Sequence, residues 1–147
     1  MRKLIFIFIA LALAACSAAN PSEIERNRQK WQDSGVSHYR FSLFVGCFCV
    51  FSQDMPLNIE VKDGKVVSME YQSGKAIDEG NRDLFRRYET IDQIFAELEK
   101  DLNGEADEVT VAYDSNYGFP AQVNIDFIKD AVDDEVALNI SAFEQLP

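Results

Sequence analysis

From Tyr39 the chain alternates: Tyr39, Phe41, Leu43 and Val45 fall on one parity, Arg40, Ser42 and Phe44 on the other. A period of two marks a strand with one buried face. The alternation returns in Leu57, Ile59 and Val61, in Val67, Met69 and Tyr71, and in Val109, Val111 and Tyr113. It recurs in Val123, Ile125 and Phe127 and in Val136, Leu138 and Ile140, with Phe143 beyond. The punctuation agrees. Pro56 and Pro120 each lead a strand, Asp63-Gly64 is a two-residue hairpin signal, and Asp114-Ser115-Asn116-Tyr117-Gly118 reads as a turn. An acidic loop covers 129–135.

Two stretches change to a helical period. Ser22 and Glu25 have capping-box spacing, with Ile24 and Trp31 inward and a stop near Ser34-Gly35. Thr90 and Gln93 repeat that spacing, and Ile91, Ile94, Phe95, Leu98 and Leu102 form one stripe up to Asn103-Gly104. Residues 73–89 are polar without a clean period and read as a loop, with a short helical turn near 82–87.

The pattern predicts an α+β fold: one antiparallel sheet of about six strands with two helices on one face. Each half reads helix, strand, turn, proline-led strand, turn, strand, so a tandem pseudo-repeat of a helix and three strands is expected. The other face of the sheet would be wet and lined by Asn58, Glu60, Ser68, Glu70, Gln122, Asn124, Asn139 and Ser141.

Ahead of this domain, Arg2 and Lys3 precede an apolar run over 4–15, which ends in Leu13-Ala14-Ala15-Cys16-Ser17. A basic tip, a short apolar core and small residues make a secretory signal. The run falls short of the roughly 20 apolar residues of a membrane span. The Leu-Ala-Ala-Cys ending resembles the lipobox of bacterial lipoproteins. That resemblance implies a signal peptide over 1–15, a lipidated tether over 16–21 with diacylglyceryl and acyl (palmitate-type) chains on Cys16, and a single domain over 22–147. Two or more acyl chains anchor a protein stably. Ser17 stands where an inner-membrane lipoprotein usually carries aspartate, so the outer membrane, facing the periplasm, is the expected location.

Charge narrows the partners. The chain has 14 Lys and Arg against 25 Asp and Glu. Losing Arg2 and Lys3 leaves 12 against 25, a formal charge of −13. Nucleic acid needs a basic footprint and is excluded, and the lipid on Cys16 rather than the protein surface would hold the membrane.

Of three cysteines, Cys16 is consumed by the lipid, leaving Cys47 and Cys49 as two thiols that tend to close in an oxidising compartment. Alternate strand residues sit roughly 6.5 Å apart at Cα, near the upper limit of about 6.8 Å for a disulfide, so closure needs curvature or a bulge. Three readings stay open: a structural staple, a thiol-redox pair, or half of a metal site. His38 is the only histidine, and no Gly-x-Ser-x-Gly elbow is present. The stretch from Asp114 begins like a calcium loop, but Phe119 replaces its glycine and Ile125 its closing glutamate. The candidate binding residues are Asp114, Asn116 and Tyr117 in that turn and Asp133 and Asp134 in the acidic loop. No catalytic residue, cofactor or metal is expected.

Beyond the lipobox, the domain resembles an uncharacterised family of bacterial lipoproteins, a domain of unknown function. The residues that carry the resemblance are Trp31, Tyr39-Arg40-Phe41, Cys47-Phe48-Cys49, Val61-Lys62-Asp63-Gly64-Lys65-Val66-Val67 and Thr90-Ile91-Asp92-Gln93-Ile94-Phe95, continuing in Tyr113-Asp114, Tyr117-Gly118-Phe119-Pro120, Asp126 and Asp133-Asp134-Glu135. The resemblance supplies no activity and no catalytic residues. The expectation is a non-enzymatic binding or structural module that meets an envelope protein or ligand through its wet sheet face or loops. The alternative is a periplasmic thiol-redox or metal-binding protein acting through Cys47 and Cys49.

Overall fold

A computed structural model describes residues 22–147; Cys16, the lipobox and the tether lie outside the described residues. The order is α1 (Glu23–Asp33), β1 (His38–Gly46), β2 (Leu57–Lys62), β3 (Lys65–Tyr71), α2 (Glu79–Phe85), α3 (Ile91–Lys100), β4 (Glu108–Tyr113), β5 (Pro120–Asp126) and β6 (Val136–Gln145). The six strands form one antiparallel sheet in the order β3-β2-β1-β6-β5-β4. No helix among the described residues is long and apolar enough to cross a membrane.

The helices begin where local chemistry dictates. Ser22 and Glu25 close the expected capping box on α1, and the Thr90 hydroxyl accepts the Gln93 N–H to open α3. The Tyr39 hydroxyl accepts the N–H of Ile91 at 3.2 Å, so the first turn of α3 is tied to the central strand. Past Lys100 the helix widens into a π-helical turn over Asp101–Glu105. The apolar stripe therefore stops short, and Leu102, expected inward, is exposed.

One core lies between the helices and the inner sheet face, as the parity predicts. Tyr39, Phe41, Leu43 and Val45 are buried with Leu57, Ile59 and Val61 under Ile91, Ile94, Phe95 and Leu98. Near the start of β1, Trp31 meets Tyr39, Phe119 and Phe143 edge-on at 5.2, 6.3 and 5.9 Å. Near its end, Phe51 and Phe85 pack at 4.8 Å, with Tyr71 beside them.

Three bulges adjust the pattern. Glu60 pairs with Ser68 and Val61 with Val66, so Val67 is the extra residue and points outward, against the expected inward parity; Val66 takes the inner position. Ser42 pairs with Ser141 and Arg40 with Glu144, which leaves one extra residue on β6 near Ala142, at φ +50°. The shift of parity turns Phe143 into the aromatic cluster. The third bulge lies in β5 between Pro120 and Gln122.

The repeat expected from the sequence is one of element order only. Both halves run helix then three-strand meander, with α2 between them. Yet β1 is central while its counterpart β4 is an edge, and counterpart strands, three places apart in an antiparallel sheet, run in opposite directions. The two meanders therefore turn with opposite hand under a shared helical layer and do not superimpose.

Candidate functional site

With the helices on one face, the other face of the sheet is left uncovered, and its residues are set by strand parity. Arg40, Ser42, Asn58, Glu60, Ser68, Glu70 and Glu144 line a hollow of about 460 Å³ on it. Two bulges flank the hollow, at Val67 on β3 and near Ala142 on β6. A bulge bends its strand and sharpens the local twist, which shapes an otherwise even sheet face.

The polar groups are partly engaged with one another. Arg40 donates from Nε and Nη2 to Glu144 Oε2 at 2.9 and 2.5 Å. The Ser42 hydroxyl donates to Asn58 Oδ1 at 2.9 Å, which leaves the Asn58 amide group to face outward as a donor. At the rim, His38 places Nδ1 2.9 Å from the Pro147 carbonyl oxygen and Nε2 3.0 Å from Glu60 Oε1. With an acceptor at each ring nitrogen, the doubly protonated ring is favoured. The Glu60 hydrogen bond, followed by the Pro147 carbonyl, raises the His38 pKa above its ordinary 6.5. Both nitrogens being engaged, neither is left to activate a hydroxyl. Glu70 is exposed on the same face. The hollow can thus offer carboxylate, amide and hydroxyl groups to a polar ligand.

The residues singled out from sequence fall elsewhere. Asp114 Oδ1 accepts the N–H groups of Asn116 and Tyr117 at 2.9 and 2.7 Å, so its carboxylate builds the β4–β5 turn. Tyr117 packs on Phe143 at 4.9 Å. Gly118, at φ +82°, presses this turn onto α1: a Cβ there would lie 2.7 Å from the Asn27 carbonyl oxygen. Lys30 Nζ donates to the Ser115 carbonyl at 2.5 Å in the same contact.

Asp133 and Asp134 lie at the opposite end of β5, roughly 20 Å of extended strand away. The structure does not bring the two groups together. Asp134 Oδ2 accepts the Ile128 N–H at 2.7 Å and Asp107 Oδ2 the Lys129 N–H at 2.8 Å, so carboxylates shape this loop too. Desolvation, followed by the charges of Asp134 and Glu135, pushes the Asp126 carboxyl above its usual range. Among the described residues, no group of three His, Cys, Asp or Glu side chains is arranged to hold a metal.

The end of the sheet that carries the acidic loop also carries the β1–β2 loop. There Cys47 and Cys49 are joined in a disulfide with Cα atoms 5.2 Å apart. The strand ends at Gly46 and the chain turns, with the Cys49 N–H bonded to the Cys47 carbonyl at 2.8 Å. This turn supplies the curvature that a regular strand lacks. Phe48 and Val50 are 84% and 95% exposed on either side of Cys49, on the outward parity that continues from Arg40, Ser42 and Phe44.

Sequence parity identified Asn58, Glu60, Ser68 and Glu70 as surface residues of one face. The same parity put Arg40 and Ser42 outward on β1, but it missed Glu144, whose facing is set by the bulge near Ala142. No curated protein and no solved structure matches the chain. One family model does, over residues 23–145, from the first turn of α1 to the last residue of β6, and the chain belongs to that family, a family of unknown function (DUF6174).

Proposed function

We propose that the chain is a binding module of the bacterial envelope, tethered to the outer membrane through lipid on Cys16, which holds a polar, cation-bearing ligand or protein segment on the uncovered sheet face. The observation that carries this reading is the hollow itself. Glu60, Glu70 and Glu144 line it beside Arg40, which pairs with Glu144, while His38 at the rim pairs with Glu60. The formal charge of −11 supports the same sign of partner, since a field of one sign favours the opposite charge on approach.

The test is a two-dimensional NMR titration of the purified protein with a lysine-rich peptide and, separately, a glutamate-rich one. Shifts from the lysine peptide should gather on Arg40, Ser42, Asn58, Ser68, Glu70 and Glu144 and weaken in Glu70→Lys. Equal response to both peptides, or shifts centred on another surface, refutes the face assignment. The tether is tested separately: Cys16→Ser should abolish palmitate incorporation and move the protein out of the membrane fraction. Unchanged labelling and fractionation would refute the anchor.

A further inference from the structure

We propose that Cys47 and Cys49 form a reversible dithiol–disulfide site that exchanges with the thiols of polypeptides rich in apolar side chains. This does not rest on the sheet-face reading and goes beyond it. Three observations carry it.

The first is the setting of the bond. It closes over a single intervening residue at a strand end, outside the ladder that ends with the Gly46 and Ala137 pair. Stabilisation by a disulfide grows with the logarithm of the loop it closes, so a ring this small restrains little of the unfolded chain. Its contribution to the stability of the fold is correspondingly small.

The second is that the loop keeps its shape by other means. The Ser52 hydroxyl reaches the Cys49 carbonyl at 2.7 Å and the Cys47 carbonyl at 3.2 Å. The Ser52 N–H bonds the Cys49 carbonyl at 3.2 Å, the Asp54 N–H bonds the Phe51 carbonyl at 2.9 Å, and Phe51 is buried against Phe85. None of these contacts uses sulfur. Reduction therefore leaves two thiols held side by side, ready to close again.

The third is the apolar collar. Phe48 and Val50 are almost wholly exposed around Cys49, and with Cys47 and Ser52 they border an open hollow of about 400 Å³. The β5–β6 loop exposes Ile128 and Val132 at the same end of the sheet. An isolated exposed apolar residue needs no explanation, but a cluster at a reactive group supplies binding area beside the chemistry.

The exchange balances as follows. A polypeptide thiolate forms a bond to Sγ of Cys49, the Cys47–Cys49 bond breaks, and its electron pair leaves on Sγ of Cys47, which takes a proton from water. A second thiolate of the same polypeptide then attacks the mixed disulfide at its own chain's sulfur and releases the Cys49 thiolate. The polypeptide dithiol has lost two electrons and the Cys47–Cys49 pair has gained them. A disulfide-bearing donor returns the pair to the oxidised form by the reverse steps.

The purified protein should be equilibrated with graded ratios of reduced and oxidised glutathione, acid-quenched, alkylated and weighed. The expected result is full interconversion in both directions within the glutathione range, with Tm lower by no more than about 8 °C in the reduced form. A cysteine peptide flanked by phenylalanine and leucine should open the bond about tenfold faster than glutathione at equal thiolate concentration. In F48S/V50S the ratio of peptide rate to glutathione rate should fall from about ten to about one. A bond that stays closed across the range, a larger fall in Tm on reduction, or equal peptide rates in both proteins overturns the proposal.

Discussion

Gly118 offers the sharpest test of how α1 is seated, because two separable effects meet there. At φ +82° an alanine must adopt a left-handed conformation, at a cost of about 1–2 kcal/mol. Its Cβ would also stand 2.7 Å from the Asn27 carbonyl oxygen and 3.0 Å from Lys30 Cβ. Both belong to α1, so the helix must shift or the turn must lift, and overpacking of this kind costs about 1–3 kcal/mol. Gly118→Ala should therefore lose about 2–5 kcal/mol in total. Gly35→Ala is the matched control, since Gly35 has φ +64° and a Cβ added there would meet nothing within 4 Å, so only the backbone cost of about 1–2 kcal/mol applies. Urea unfolding followed by the fluorescence of Trp31, the chain's single tryptophan, measures both variants and sits next to the contact under test. The reasoning is refuted if the two variants agree within about 0.5 kcal/mol at equal m-values, because the contact with Asn27 would then carry no weight.

Three further outcomes are expected. Tyr39→Phe strips the acceptor from the Ile91 N–H and should cost about 1–3 kcal/mol in thermal or urea unfolding, and a neutral variant contradicts the contact; burial pushes the Tyr39 phenol up to about 12, so the phenol lost in Tyr39→Phe should be a late-ionising one in a difference titration against the parent. His38 should titrate above 6.5 by NMR and fall toward that value in Glu60→Gln; since the folded pKa is the higher one, its contribution to stability is present below pH 6.5 and is lost as pH rises through the folded value. Val66→Asp should destabilise clearly, whereas Val67→Asp should stay within about 0.5 kcal/mol of the parent by denaturation, and the reverse order would mean that the β3 bulge is misplaced.

Much of this fold was legible because its signals are local. The alternation through Tyr39, Phe41, Leu43 and Val45 and the caps at Ser22 and Thr90 need only neighbouring residues, and each stands where the chain implied. Val67 and Phe143 were not legible in the same way. Their facing depends on bulges, which are set by the register of a partner strand. The opposite hands of the two meanders also lay beyond reach, since β1 joins β6 across the length of the domain. The cysteines illustrate both sides. Counting made a disulfide one of their readings, but a strand continued past Gly46 would hold their Cα atoms roughly 6.5 Å apart rather than the 5.2 Å that the turn permits. For the site, parity placed Arg40, Ser42, Asn58, Glu60, Ser68 and Glu70 outward, whereas Glu144 escaped it because the bulge near Ala142 shifts the parity of β6.

The pairing of the first strand with the last has a kinetic consequence. Tyr39 lies opposite Gln145 and Gly46 opposite Ala137, so the seam between the two three-stranded halves closes only when residues about a hundred positions apart meet. Long-range pairing of this kind slows folding, because the loop must close before any contact rewards it. A chain emerging from its N-terminal end can form the β1–β2–β3 meander early, yet β1 keeps an open edge until β6 arrives. That delay suits the proposed passage into the envelope, which an unfolded chain makes more readily than a folded one, and β6 acts as the latch that ends it.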